Sequence, residues 1–204
     1  IVVAQKFYPL IFTLDEQPDL VAVLGVVDDR NLFVDNDGKW AQGAYVPTYI
    51  KAHPFALARG ADDQIAVVID RASAAVSGTP ETPFFDGDKL SPAVQARVDQ
   101  AGRFEADRNQ TRDFCQRMQD IEVLSRQDAA FKLPGDDQDR VVAQYKTIDL
   151  EKLNELKKDQ VYELHSSGLL PLMYALSFSL QNWQQLIARR QELHEASRNE
   201  PSAA

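Results

Sequence analysis

Arg108 is the residue whose placement most demands chemistry. It lies on the inward stripe of a helical pattern, between Phe104 and Phe114, where an unpaired guanidinium costs several kcal/mol. A countercharge must meet it there. Glu105, Asp70, Asp149 or backbone carbonyls would make Arg108 one half of a structural ion pair, whereas a ligand carboxylate or phosphate would make it the anchor of an anion pocket. In the second case His53 or His165 supplies the acid or base of a small-molecule-binding enzyme. The three histidines, His53, His165 and His194, are too scattered for a helical metal pair or a recognisable catalytic spacing. His53, preceding Pro54, is read as packing or capping beside the N-terminal sheet. Cys115 sits on an apolar helix face, where a thiol is ordinarily inert; a thiolate nucleophile would need a base such as His165 beside it in space. Asp35-Asn36-Asp37-Gly38 superficially resembles a calcium loop, but Phe33 stands where the preceding ligand should be, so a metal-free turn is expected. Phosphate loops, dinucleotide fingerprints, nucleophile elbows, zinc-protease helices and paired cysteines are all missing. No catalytic residue, metal or cofactor is assigned.

Two groups of aromatic residues suit recognition better than catalysis. Phe84-Phe85 interrupts a polar loop, and leaving both rings wet forgoes several kcal/mol of burial, so the pair either tucks into the core or anchors a partner. Trp40, Tyr45 and Tyr49, near the first hairpin, form a second candidate contact set.

Composition narrows the classes of partner. The chain has 204 residues, 44% of them hydrophobic, enough for one well-buried core and short for two. A single domain over 1–196 with a polar tail over 197–204 is expected. With 31 acidic against 22 basic residues, the formal charge of −9 repels phosphate backbones and anionic membranes. Lys157-Lys158 and Arg189-Arg190 are the only adjacent basic pairs, so the sequence shows no basic stripe and nucleic acid is not an expected partner. One cysteine excludes an internal disulfide and fits a reducing compartment, with the cytoplasm as the default location. The chain starts at Ile1-Val2-Val3 without an initiator methionine, which leaves an upstream targeting segment open.

The elements that position these residues follow from patterning. Strands are read at Tyr8 to Leu14, Leu20 to Val27, Asn31 to Asp35 and Gln64 to Asp70, with a hairpin tip at Asn36-Asp37-Gly38. Tyr45 to Ile50 fits either a strand or a helical turn, and Ala72 to Pro92 is loop by composition. Ser91-Pro92 opens a helix whose apolar positions Val94, Val98, Ala101, Phe104, Phe114, Cys115, Met118 and Ile121 share a stripe as far as Val123. Phe131 to Leu133 and Arg140 to Ile148 read as a second hairpin. Asp149 caps a helix over Leu150 to Leu156, Asp159 begins another at Gln160 to His165, and Gly168 precedes a final long helix. The apolar run Leu169 to Leu180 is too short to span a membrane and is read as a core helix carrying Leu172, Leu176, Leu180, Trp183 and Ile187. Its opposite face, with Met173 and Phe178, offers a partner helix or peripheral lipid contact. These elements make an α+β fold: a largely antiparallel sheet from the N-terminal part with the later hairpin, packed by a long middle helix and a C-terminal helical segment.

Four ordered pieces carry a family resemblance. They are Asn31 to Trp40, then Tyr45-Val46-Pro47-Thr48-Tyr49 with His53-Pro54-Phe55-Ala56-Leu57, then Phe104-Glu105-Ala106-Asp107-Arg108 running to Phe114-Cys115, and last Ile148 to Asn154 running to Glu163-Leu164-His165. Together they resemble the SapC-like family, bacterial proteins named for an association with surface-layer protein genes, across most of residues 5 to 190. The resemblance carries over no catalytic residue. It implies a non-enzymatic accessory or binding protein near surface-layer or envelope export and uptake, with a protein partner or a homo-oligomer as its complex.

Overall fold

The strand β1 (Leu10–Phe12) is buried along its whole length, and a strand with no wet face must be covered on both sides and have its backbone satisfied at both edges. The computed structural model, which describes residues 1–27, 30–59, 65–78, 82–132 and 137–199, meets that demand with elements far apart in sequence. After β1 come β2 (Leu20–Ala22), α1 (Thr48–Ala52), β3 (Phe55–Arg59), β4 (Ile65–Ile69), β5 (Phe85–Asp86), β6 (Lys89–Leu90) and α2 (Pro92–Asp120). The chain then continues through β7 (Leu124–Phe131), β8 (Arg140–Ile148), α3 (Leu150–Asn154), α4 (Lys158–Ser166), α5 (Leu169–Ser179) and α6 (Asn182–Asn199). The architecture is α+β, as the patterning predicts.

The described residues divide into two compact units, Ile1–Tyr45 with Arg112–Ala204 and Val46–Thr111. In the first, an antiparallel sheet runs β2-β1-β8-β7. Leu10 faces Ala22 and Phe12 faces Leu20 on one side of β1, while Phe12 pairs with Lys146 of β8 on the other. Where that ladder stops, a side chain takes over: Leu10 N–H donates to Ser179 Oγ at 3.0 Å, and the Ser179 hydroxyl donates to Leu176 O at 2.6 Å. Asn182 Nδ2 donates to Gln5 O at 2.8 Å and Tyr8 O at 3.1 Å, fixing the residues just before β1 to the start of α6. The two faces of the sheet are covered differently. Phe12 stacks on Phe114 of α2 at 6.2 Å, whereas Tyr145, on the opposite face by strand alternation, packs at 5.8 Å from Trp183 of α6. Met118, Met173 and Leu176, all fully buried, join this core.

The second unit is built otherwise. Strands β3 and β4 form a two-stranded sheet of their own, in register from Phe55 opposite Ile69 to Arg59 opposite Ile65. The pair β5–β6 is a small hairpin inside the stretch read as loop, and α1 resolves the ambiguous stretch as a helical turn. Among the described residues only Ala52, Val94 and Ala101 of this unit are buried hydrophobics.

Several boundaries differ from the expectation. Asn31 to Asp35 is not a strand; only a Val34–Trp40 bridge closes the turn, in which Asp35 Oδ1 accepts from Asp37 N at 3.0 Å and Lys39 N at 2.8 Å. The middle helix ends at Asp120 rather than Val123, because Glu122 adopts a left-handed φ of 57° and Glu122 N and Val123 N return to Gln119 O and Met118 O. That is a Schellman stop with glutamate in the place glycine usually takes. It lets β7 begin seven residues earlier than the patterning suggests, at Leu124 instead of Phe131. Helix α3 starts at the Asp149 cap as expected but closes at Asn154, and α4 starts at Lys158, where Gln160 rather than Asp159 caps Lys157 N at 3.1 Å. Gly168, at φ 73°, precedes α5, but the final helix is two helices broken at 180–181. Helix α6 continues through Ser197 to Asn199; Gln64, Leu133 to Asp136 and the end of the expected tail lie outside the described residues.

Burial pushes the Tyr8 hydroxyl up to about 12 and the Cys115 thiol up to about 11. Both groups are held neutral by folding, so each stabilising contribution is complete below its unfolded value and is lost as pH rises. Between pH 9 and pH 12 stability therefore falls by on the order of 2 kcal/mol per group, and Cys115→Ala flattens the lower half of that decline in urea-denaturation series. Replacing Ser179 by Ala leaves Leu10 N–H buried and unpaired, for an expected loss of about 1–3 kcal/mol, measured by the same denaturation.

Candidate functional site

Residues expected to act together fall in different compact units. Trp40 and Tyr45 belong to the first unit, where they build structure. Phe33 is the hub: Tyr8 meets its edge at 4.7 Å, Trp40 stacks on it at 6.3 Å, and the Arg189 guanidinium lies 4.4 Å over its ring. The cation on the ring face adds electrostatic attraction to the packing. The Tyr8 hydroxyl donates to the Tyr45 carbonyl. His165, also in the first unit, is exposed on α4, while Cys115 is buried and its raised pKa keeps it a thiol at neutral pH. A thiolate with an adjacent base is not what this geometry offers. The α5 face expected to offer lipid or a partner helix a contact divides, with Met173 fully buried and Phe178 60% exposed.

Tyr49, His53, Phe84, Phe85 and Arg108 fall in the second unit. Arg108 does not point inward. Its guanidinium turns to the helix surface and meets the Glu105 carboxylate one turn back at 3.0 Å, with 44% of the arginine side chain exposed. The helical stripe changes character at this point because polar positions of α2 face water there, so no buried charge needs an external anion. The two other candidate carboxylates are used elsewhere: Asp149 caps α3, and Asp70 accepts from Ala72 N at 2.9 Å and lies 3.4 Å from His53 Nε2. With Asp70 N–H donating to Pro54 O, this His53–Asp70 contact closes the open end of the β3–β4 hairpin. Arg97 donates to the Lys51 carbonyl, tying α2 to α1.

What the second unit leaves in water is apolar. Ile65, Val67 and Val68 of β4 are 65%, 49% and 41% exposed, and they alternate between the two faces of the strand. Both faces of β4 are therefore uncovered, and among the described residues its outer edge has no strand partner. Phe85 is 62% exposed and Tyr49 66%, whereas Phe84 is half-buried against Phe55 at 5.9 Å. The Phe84-Phe85 pair thus divides, one ring inward and one outward. The patterning predicts β4 as a strand but not its exposure. The signal was present, since Ile65-Ala66-Val67-Val68-Ile69 is continuously apolar instead of alternating, the pattern of a strand meant to be covered on both faces.

The SapC family model matches residues 1–186. The chain belongs to the SapC family. That match spans both compact units, so the first unit's sheet and the exposed β4 hairpin lie within the SapC region. No curated protein and no solved structure matches the chain. Among the described residues no helix is long and apolar enough to cross a membrane, and no group of three or more metal-ligating side chains converges.

Because Arg108–Glu105 is an exposed pair within one helix, Arg108→Met is expected to change stability by less than about 1 kcal/mol. Thermal unfolding of the variant checks this; a loss of several kcal/mol would mean that the guanidinium serves a buried partner.

Proposed function

We propose that this SapC protein is a non-enzymatic accessory protein that binds another polypeptide through β4, by adding a strand from the partner to its free edge. The observation that supports this reading is the exposure of Ile65, Val67 and Val68 on a strand without an outer neighbour. An isolated two-stranded hairpin is marginal in water, and natural proteins usually guard such an edge with lysine, proline or a bulge. Ile65–Ile69 has none of these. Backbone hydrogen bonds from an added strand would supply affinity, and contacts with the alternating side chains of Val67 and Val68 would supply selectivity. Exposed Phe85 and Tyr49 offer further aromatic anchors on the same unit. Membership in the SapC family supports a client connected with surface-layer or envelope proteins, and the net charge of −9 weighs against an anionic membrane or nucleic acid as the primary target.

The test is native mass spectrometry of the protein purified gently from its own host, beside a Val67→Lys variant. Val67 is half exposed, so the lysine is tolerated and circular dichroism should be unchanged, while the co-purifying polypeptide seen with the parent is lost. If the retained species is a second copy of the chain, the client is the protein itself. A bare monomer from both proteins, or a partner kept equally by Val67→Lys, removes the reading.

A further inference from the structure

The 22 lysines and arginines form no cluster in the linear sequence beyond two adjacent pairs, yet strand pairing assembles one. The register of β7 on β8 sets Arg126 directly opposite Lys146, and Lys152 of α3, whose ammonium reaches Leu124 O at the start of β7, completes a set of three cations around a cleft of about 280 Å³. Gln119, Glu122, Leu124 and Ser125 line the remainder. Like charges facing each other across a sheet are destabilising in themselves. Among the described residues none of the three cations forms an ion pair with a carboxylate.

The lysines are also held in place. Lys146 Nζ donates to Asp15 O at 2.8 Å and Lys152 Nζ to Leu124 O at 3.0 Å. An ammonium carries three donors, so each has two left for a ligand, and the Arg126 fork makes no hydrogen bond among the described residues. The only carboxylate in the lining is Glu122, the residue that terminates α2 in a left-handed conformation. One carboxylate against three cations leaves the cleft net positive by two charges, in a protein whose total is −9. The carbonyl end of α2 offsets about half a charge more. A positive excess remains.

We propose that this cleft binds a small phosphate-bearing anion. A phosphate dianion matches the excess charge, its tetrahedral oxygens accept from the two fixed ammonium groups while the guanidinium engages it bidentately, and the volume admits the phosphate with a short organic body. The site lies in the first unit and is independent of the β4 surface. Isothermal titration at constant ionic strength tests it, with inorganic phosphate, glycerol phosphate and, as the singly charged comparison, acetate. Saturable binding of a phosphate probe is expected in the parent, weakened at least tenfold by Arg126→Gln and by Lys146→Met and strengthened by Glu122→Gln, with acetate at least tenfold weaker. Tighter binding of glycerol phosphate than of inorganic phosphate identifies an ester as the ligand, and equal or weaker binding identifies the free ion. Heats that do not saturate with either phosphate probe, affinity unchanged in Arg126→Gln, or acetate binding as tightly as phosphate would each overturn the proposal. Both cation variants alter exposed or half-exposed side chains and relieve a like-charge contact, so their unfolding temperatures should not fall.

Discussion

Burying a strand whole is the constraint from which the rest of the first unit follows. With three consecutive buried side chains, β1 has no solvent to satisfy its amides or to receive its side chains, so everything around it must be supplied by protein. The neighbour β2 is local, only a short turn away. The other neighbour is not. A single residue pair, Phe12 with Lys146, connects β1 to β8, and the rest of that edge is completed by the hydroxyl of Ser179. One hydroxyl therefore joins the sheet to the helical layer, and the Asn182 amide repeats the linkage at Gln5 and Tyr8, just before β1. The buried side chains of Phe12, Met118, Met173 and Leu176 then pack around a frame whose polar groups are already paired.

The second unit shows the opposite balance. Its long helix, its hairpins and its hydrogen bonds are well formed, but its buried apolar residues are two alanines and a valine among the described residues. Small side chains bury little area, and area removed from water is the main favourable term in folding. Local geometry here is good while the hydrophobic return is low. The apolar surface that would ordinarily close such a unit is present in β4 and Phe85 but faces water.

Much of this architecture was legible in the sequence because local chemistry dictated it. Asp149 caps α3 with its own side chain, Gly168 takes the left-handed conformation before α5, and Pro92 opens α2. Gly38 likewise turns the first hairpin. The misreadings have a common cause, which is that a linear pattern cannot report a partner. Glu122 stops α2 in a conformation normally signalled by glycine, so the linear pattern extends the helix too far and starts β7 too late. Arg108 reads as buried when the apolar stripe of α2 is taken as continuous, but the stripe breaks there and the guanidinium pairs with Glu105 on the exposed side. The cluster of Arg126 with Lys146 is twenty residues apart in sequence and adjacent only through register.

The position of β1 also has a consequence for biogenesis. Phe12 leaves the ribosome 134 residues before its partner Lys146, and at about 5–20 residues per second that interval is on the order of ten seconds. The whole of the weakly cored unit is synthesised within it. A nascent chain of this protein thus presents an N-terminal strand with one edge still unpaired and the continuously apolar β4 at the same time, before the C-terminal residues that complete the first have been made. Any translational pause between these segments lengthens the exposure, so the order in which the chain is written sets how long these apolar strands wait for cover.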